Sequence, residues 1–426
     1  MAEMKDSGTV WLGNIPNSWK LSKISSIYEL RTTKVSDRDY PPLSVTMQGI
    51  VPQLDSAAKT NAHDNRKLVK KGDFVINSRS DRRGSCGVSD YDGSVSLINT
   101  VMKPRDEMNP DYYNWLFHTT QFADEFFKWG HGIVADLWTT NWQDMKHIDI
   151  PVPSLEEQKK IADYLNVLIP EVEALHSDIE KQIETLEEYK KSIIAEIVIK
   201  GLNYDVNMKN SGINYIGKIP EHWEIKKAKY ACNSLSKGNG ITKEDVKEDG
   251  NIKCVRYGEI YSKYDEAFFK CLSSTNIELI SSPKYITKGD ILFAGTGELI
   301  EEIGKNVVYM GNELCIAGGD IIVMKHSQHP IFFNYTLNSI HSQIQKSKGK
   351  AKLKVVHISA TDIGNILIAI PPLKEQEEIA TFLDKKCLEI NNIIANKLKQ
   401  LEILKEYKKS IIYEYVTGKK EVPCNE

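Results

Sequence analysis

The heptapeptide Glu-Tyr-Lys-Lys-Ser-Ile-Ile occurs twice in this chain, at Glu188–Ile194 and at Glu406–Ile412, 218 positions apart. Each copy lies late in a long helix-forming stretch that opens after proline: Pro153-Ser-Leu-Glu-Glu-Gln-Lys-Lys-Ile-Ala-Asp-Tyr-Leu in one, Pro371-Pro-Leu-Lys-Glu-Gln-Glu-Glu-Ile-Ala-Thr-Phe-Leu in the other. Seven identical residues at matching places in two similar helices mark a duplicated unit, so the fold must be one that the chain builds twice. Other pairs agree. Gly13-Asn-Ile-Pro-Asn-Ser-Trp is answered by Gly217-Lys-Ile-Pro-Glu-His-Trp at an offset of 204, and Lys71-Gly-Asp-Phe-Val-Ile-Asn by Lys288-Gly-Asp-Ile-Leu-Phe-Ala at 217. In the second pair Gly-Asp supplies a turn and the apolar run reads as a buried strand. Asn109-Pro-Asp-Tyr-Tyr and His329-Pro-Ile-Phe-Phe, 220 apart, read as helices with proline in the first turn.

The offset drifts from 204 to 222 before settling at 218, which means a shared framework with unequal loops. Loops on a retained scaffold are where binding specificity usually sits, so two copies with different loops imply two readings. The expected fold class is α+β: two mixed globular parts, residues 1–152 and 203–370, each followed by a long helix, 153–202 and 371–426, the last with a C-terminal tail. Gly201–Gly212, rich in Asn, Gly and Asp, reads as the connector. The long helices show apolar residues at threes and fours: Val172, Leu175, Ile179, Leu186, Tyr189 and Ile193 in one, Ile390, Ile393, Leu404, Tyr407 and Ile411 in the other. That heptad seam calls for a partner helix, and two such helices in one chain can serve each other or a partner subunit. Pro170 is expected to start or kink the coiled segment.

Several chemistries find no support. No Gly-x-x-x-x-Gly-Lys-Ser/Thr loop is present, Gly238-Asn-Gly and Gly295-Thr-Gly lack the third glycine of a dinucleotide fingerprint, and Asn109-Pro-Asp-Tyr misses the second proline of an adenine-methyltransferase motif. The histidines show no metal or triad spacing, and seven scattered cysteines suggest neither a disulfide framework nor a zinc site. Met1–Gly8 is polar and no apolar run approaches bilayer length, which points to the cytoplasm and away from membranes.

Groups suited to nucleic acid are present despite a net charge of −3. Ser78-Arg-Ser-Asp-Arg-Arg-Gly-Ser places Arg79, Arg82 and Arg83 where they could contact guanine or phosphate, or form a salt-bridged turn with Asp81. Lys346, Lys348, Lys350, Lys352 and Lys354 recur with period two, which on an extended segment lines five ammoniums along one face, for phosphates or for edge protection. The equivalent first-unit stretch offers Lys128, His131, Trp138 and Thr139, and the second unit adds Arg256 and Thr296.

Taken together, the doubled Ile-Pro-x-x-Trp, Lys-Gly-Asp, Leu-x-Glu-Gln and long-helix pattern resembles the specificity (S) subunits of Type I restriction-modification systems over nearly the whole chain. The resemblance implies two target-recognition domains that read the halves of a bipartite double-stranded DNA site, held apart by an antiparallel helical ruler in an internal pseudo-two-fold repeat. It implies a non-catalytic subunit with no cofactor of its own. S-adenosylmethionine would belong to DNA-methyltransferase (modification) subunits, two of them expected, while ATP and Mg would belong to restriction/translocase subunits. A coiled-coil scaffold or decoy without DNA specificity is the alternative weighed against it.

Overall fold

The computed structural model describes residues 3–54, 63–105, 108–133, 138–350 and 355–423, in two compact units: residues 1–180 with 398–426, and residues 181–397. Each long helix therefore begins in one unit and ends in the other.

In the first unit the central sheet is antiparallel, built from β1 (Tyr28–Leu30), β2 (Phe74–Asn77), β3 (Cys86–Val88) and β4 (Asn99–Pro104) in the order β3-β2-β4-β1. The turn before β2 forms as the Lys-Gly-Asp motif predicts: Gly72 takes a φ of +89° that glycine tolerates, and Asp73 accepts the Lys70 N–H at 2.8 Å. Asp73 is buried but not unpaired, since the Arg31 guanidinium grips it with contacts of 2.6 and 2.8 Å. Two helices cover the sheet, α1 (Pro110–Phe117) and α2 (Thr120–Lys128). The Asn109 side chain accepts the Tyr112 N–H, the N-cap that a proline at the first helical position leaves room for. Tyr28, Phe74, Tyr112, Tyr113, Phe117 and Phe122 fill the core between. The long helix α3 (Leu155–Lys200) follows; its opening residues Ile161, Leu165 and Ile169 join this core, as do Ile411, Tyr415 and Val416 near the chain's end.

The second unit repeats the plan. β5 (Cys232–Lys237), β6 (Ala267–Phe268), β7 (Ile291–Ala294), β8 (Asn306–Tyr309) and β9 (Ile321–His326) order as β5-β9-β7-β8-β6, so the first unit's four-strand sequence recurs with one parallel strand, β6, added at the edge. A short helix α4 (Tyr257–Ser262) lies in the variable stretch, and α5 (Pro330–Asn338) and α6 (Ile340–Ser347) stand where α1 and α2 stand in the first unit. The final helix α7 (Leu373–Val416) contributes Ile379, Leu383 and Cys387 to a core that also holds Ile197, Val198 and Ile199 of α3.

The structure bears on four sequence expectations. Pro170 lies inside α3, which continues past it; its missing N–H deprives only the Asn166 carbonyl, and both residues are exposed, so water can satisfy that oxygen. Of the heptad set, Val172, Ile179, Ile390 and Ile411 are buried and Leu186, Ile193 and Leu404 half-buried, but Leu175, Tyr189, Ile393 and Tyr407 stand largely in solvent, the two tyrosines at 52% and 45% exposure. A straight helix of 3.6 residues per turn drifts from a 3.5 repeat, so a seam drawn by sevens leaves the buried face. The lysine row does not begin extended: Lys346 lies in α6 and Lys348 caps it. Finally, the sulfurs of Cys271 and Cys315 are brought side by side. The strands beside them, Ser273–Thr275 and Cys315–Ala317, flank the same strand, Ile252–Val255, an adjacency that scattered sequence positions cannot reveal.

Candidate nucleic-acid interface

The motifs most alike between the copies turn out to be framework. Trp19 donates its indole N–H to Glu157 at 3.1 Å, and Trp223 donates to Glu375 at 2.9 Å. Gln158 accepts the backbone N–H of Asn109 at 2.8 Å while donating to the Pro153 carbonyl; Gln376 does the same with His329 and Pro371, each at 2.9 Å. Ile-Pro-x-x-Trp and Leu-x-Glu-Gln are thus two halves of one clasp, which fixes the start of each long helix to the entry strand and to the cap of α1 or α5. Both indoles and both glutamines are buried, where an unpaired polar group is costly, and so the pairing specifies the geometry.

The loops carried on this frame differ. After β2, Ser80–Arg82 forms a single 3-10 turn whose backbone is tied to the stretch after α2: the Ser80 N–H donates to the Trp138 carbonyl at 2.9 Å, and Thr140 N–H to the Ser78 carbonyl at 2.9 Å. Arg79 pairs across to Thr139, which also pairs with His131. Seven sequence-predicted residues, Arg79, Arg82, Arg83, Lys128, His131, Trp138 and Thr139, therefore come together on one face. Their side chains are unequally committed. Arg83 donates to Asp124 at 2.9 Å and lies over the Phe127 ring at 3.9 Å, while Phe127 stacks on Trp138 with centroids 5.2 Å apart. Arg79 meets Asp81 at 3.0 Å, Lys128 meets Glu125 at 3.1 Å, and His131 meets Asp144 at 3.3 Å; all three side chains remain substantially exposed.

In the second unit Thr296 pairs with His357 as Arg79 pairs with Thr139, and its hydroxyl lies 3.1 Å from the imidazole Nδ1. The 3-10 turn here is Ile300–Glu302, with two glutamates where the first turn has Asp81 and Arg82 between Arg79 and Arg83. Lys346 corrects the sequence reading most plainly. It is only 1% exposed, and its ammonium donates to the Gly304 carbonyl at 2.6 Å and to Asn306 Oδ1 at 2.9 Å beside the Phe293 ring. Burial pulls its pKa down to about 7. Such a group holds the fold together and cannot reach a phosphate. Lys350 is paired with Asp362 at 3.0 Å, Lys348 stays exposed, and Lys352 and Lys354 lie outside the described residues.

Arg256 borders a cleft of roughly 730 Å³ between α4, the Gly240–Lys243 stretch and Gly318–Asp320. It reaches Glu259 at 3.6 Å. The cleft also holds Lys243 and Lys263, which the sequence reading missed, with Gly240, Gly258, Gly318 and Gly319 in its lining. Its α4 wall adjoins the Thr296 loop, because the Tyr261 hydroxyl meets the Glu302 carbonyl at 3.4 Å. Among the described residues no cluster of histidine, cysteine or carboxylate could hold a metal ion, and no helix is long and apolar enough to cross a membrane.

Duplicated β frameworks that present polar and cationic loops define a two-headed macromolecule-binding protein. The family model of the Type I restriction modification DNA specificity domain matches residues 16–185 and again 220–402, so the chain belongs to this family. The MjaVIII specificity subunit of a type I restriction enzyme from Methanocaldococcus jannaschii is 27% identical over 77% of this chain and 74% of its own length. The solved HsdS subunit from Thermoanaerobacter tengcongensis superposes with a TM-score of 0.57 at 17% identity, covering 95% of this chain and 98% of that one. A chain from work on complex assembly and conformational transition of the type I R-M system reaches 0.74 at 15% identity, over 95% and 99%.

Proposed function

We propose that this chain is the sequence-specific DNA-recognition subunit of a Type I restriction-modification complex, contributing recognition and not catalysis. The observation that carries the reading is the contrast between a frame repeated hydrogen bond by hydrogen bond and loops that share neither charge nor length. Each globular part would place its loop face in the major groove while basic side chains fix register on phosphates.

The two long helices would set the distance between half-sites as an antiparallel coiled coil. In support, within the first unit Tyr164 packs on Tyr415 with centroids 4.9 Å apart and Lys408 pairs with Glu173; within the second, Lys190 meets Asn391 at 3.2 Å and Lys397 meets Gln182. Residue numbers rise on one helix as they fall on the other. The exposed Leu175, Tyr189, Ile393 and Tyr407 then suit a surface for modification subunits, expected as a pair. Methyl transfer from S-adenosylmethionine and ATP- and Mg-dependent work by restriction/translocase subunits would lie on those partners. A cytoplasmic setting, where the genome is, follows from the same reading.

The test is to reconstitute the chain with modification subunits and map methylated adenines, for the parent and for a variant lacking one heptad from both long helices. A bipartite motif whose spacer changes while both half-sites persist is expected. An unaltered spacer would remove the ruler, and binding no better to the mapped site than to random duplex would leave only a scaffold.

A further inference from the structure

A side chain that reads a base needs a fixed backbone and donors not already spent on protein partners. Of the three arginines around the first unit's 3-10 turn, one meets both conditions. Arg83 is committed to Asp124 and to the Phe127 face. Arg79 holds Asp81 at 3.0 Å. Arg82 has only a 3.9 Å approach to the other oxygen of Asp81, and its side chain is 66% exposed. Its backbone, however, is pinned on both sides: the Arg82 N–H donates to the Arg79 carbonyl at 3.2 Å, the Arg82 carbonyl accepts from Ser85 N–H at 3.0 Å, and the start of the turn is tied to Trp138.

We infer that Arg82 is the base-reading residue of the first half-site and that it specifies guanine, with Asp81 beside it and Arg79 and Arg83 holding the loop through their own protein partners. The guanidinium fork matches the O6 and N7 acceptors that guanine alone presents side by side in the major groove. The same turn position in the second unit supports a readout role. There Glu302 ends the turn with the same backbone bonds, its N–H to the Leu299 carbonyl at 3.3 Å and its carbonyl from Lys305 N–H at 3.0 Å, but the side chain is a carboxylate. A shared framework position would share its residue if it served only to build the turn.

The inference rests on the DNA-recognition reading above, and the two can fail separately. The full chain, assembled with its modification subunits, is used to select binding sites from a randomised duplex library, and the selected site is then re-made with each base pair changed and with 7-deazaguanine at each guanine. For the parent, one guanine in one half-site should be needed, with base change or loss of N7 weakening binding on the order of 10-fold or more. Arg82→Ala should lose that preference while the remaining positions keep theirs, whereas Lys128→Ala, at an exposed cation, should weaken all duplexes alike. Arg82 is exposed, so unfolding midpoints should match the parent. Equal loss by Arg82→Ala across every substituted duplex would make it a phosphate contact and overturn the inference alone. A parent that enriches no sequence would overturn the DNA-recognition reading with it.

Discussion

Phe126 and Lys346 occupy the same place in the two units, 220 positions apart on the equivalent helices α2 and α6, yet one buries a ring and the other an amine in the core. The loops after β2 and β7 diverge too: Arg79, Arg82 and Arg83 stand around the first 3-10 turn, Glu301 and Glu302 in the second. Duplication has preserved the positions where backbone is held and released the rest. Charge on a repeated scaffold is therefore no guide to shared contacts, and the two units cannot touch DNA in one manner.

The largest effects should fall where the units are alike. Trp19→Ala and Trp223→Ala each remove a buried indole and one donor to a glutamate, so each should cost about 3–5 kcal/mol in chemical denaturation, by similar amounts. A clear inequality would break the equivalence of the clasps. Next, Lys346→Met strands the Gly304 carbonyl and Asn306 Oδ1 and should cost about 1–3 kcal/mol, whereas Lys128→Met should stay within about 0.5 kcal/mol. In DNA binding the order reverses: Lys128→Met should lower the salt slope by about 1, and Lys346→Met should not.

The pH dependence sharpens that contrast. In the fold Lys346 titrates near 7, while a lysine in the unfolded chain titrates at about 10.4. Between those values the unfolded chain binds the extra proton, so the penalty for burying this group is full below pH 7 and relaxes as pH rises. The neutral amine keeps two N–H donors for its two acceptors. Unfolding free energy should climb from pH 7 to 9 more steeply in the parent than in Lys346→Met, and equal slopes would contradict the buried assignment. The smallest effect concerns the acidic turn: Glu298→Gln with Glu302→Gln should raise affinity for random duplex by roughly 2- to 5-fold at low salt, measured by titration.

The framework was legible because its rules are local or repeated. Proline at a helix start, Gly-Asp before an apolar run, and the doubled Glu-Gln each constrain a backbone wherever they occur. The first unit's arginine turn was legible too, since Gly and Ser around three arginines leave little to bury. The lysine row failed for a definite reason: period two locates a face only if the segment is extended, and helix α6 carries Lys346 inward instead. The half-exposed tyrosines of the repeated heptapeptide show the limit of a heptad count, which marks a face of a helix but not whether its neighbour is the other helix or a partner subunit. Nothing in sequence spacing announced the cleft lined by Lys243 and Lys263, which three separate segments assemble.

The closure of the first unit has a consequence for how the protein is made. The Tyr112 hydroxyl donates to the Val416 carbonyl at 2.7 Å across 304 positions, and Ile411, Ile412 and Tyr415 complete the core around it. The first unit thus lacks part of its core until the segment around Val416 has been made. Such long-range closure is slow and leaves apolar surface open meanwhile. Synthesis that stops before Leu398 would leave the faces that Ile411, Ile412 and Tyr415 cover open to water.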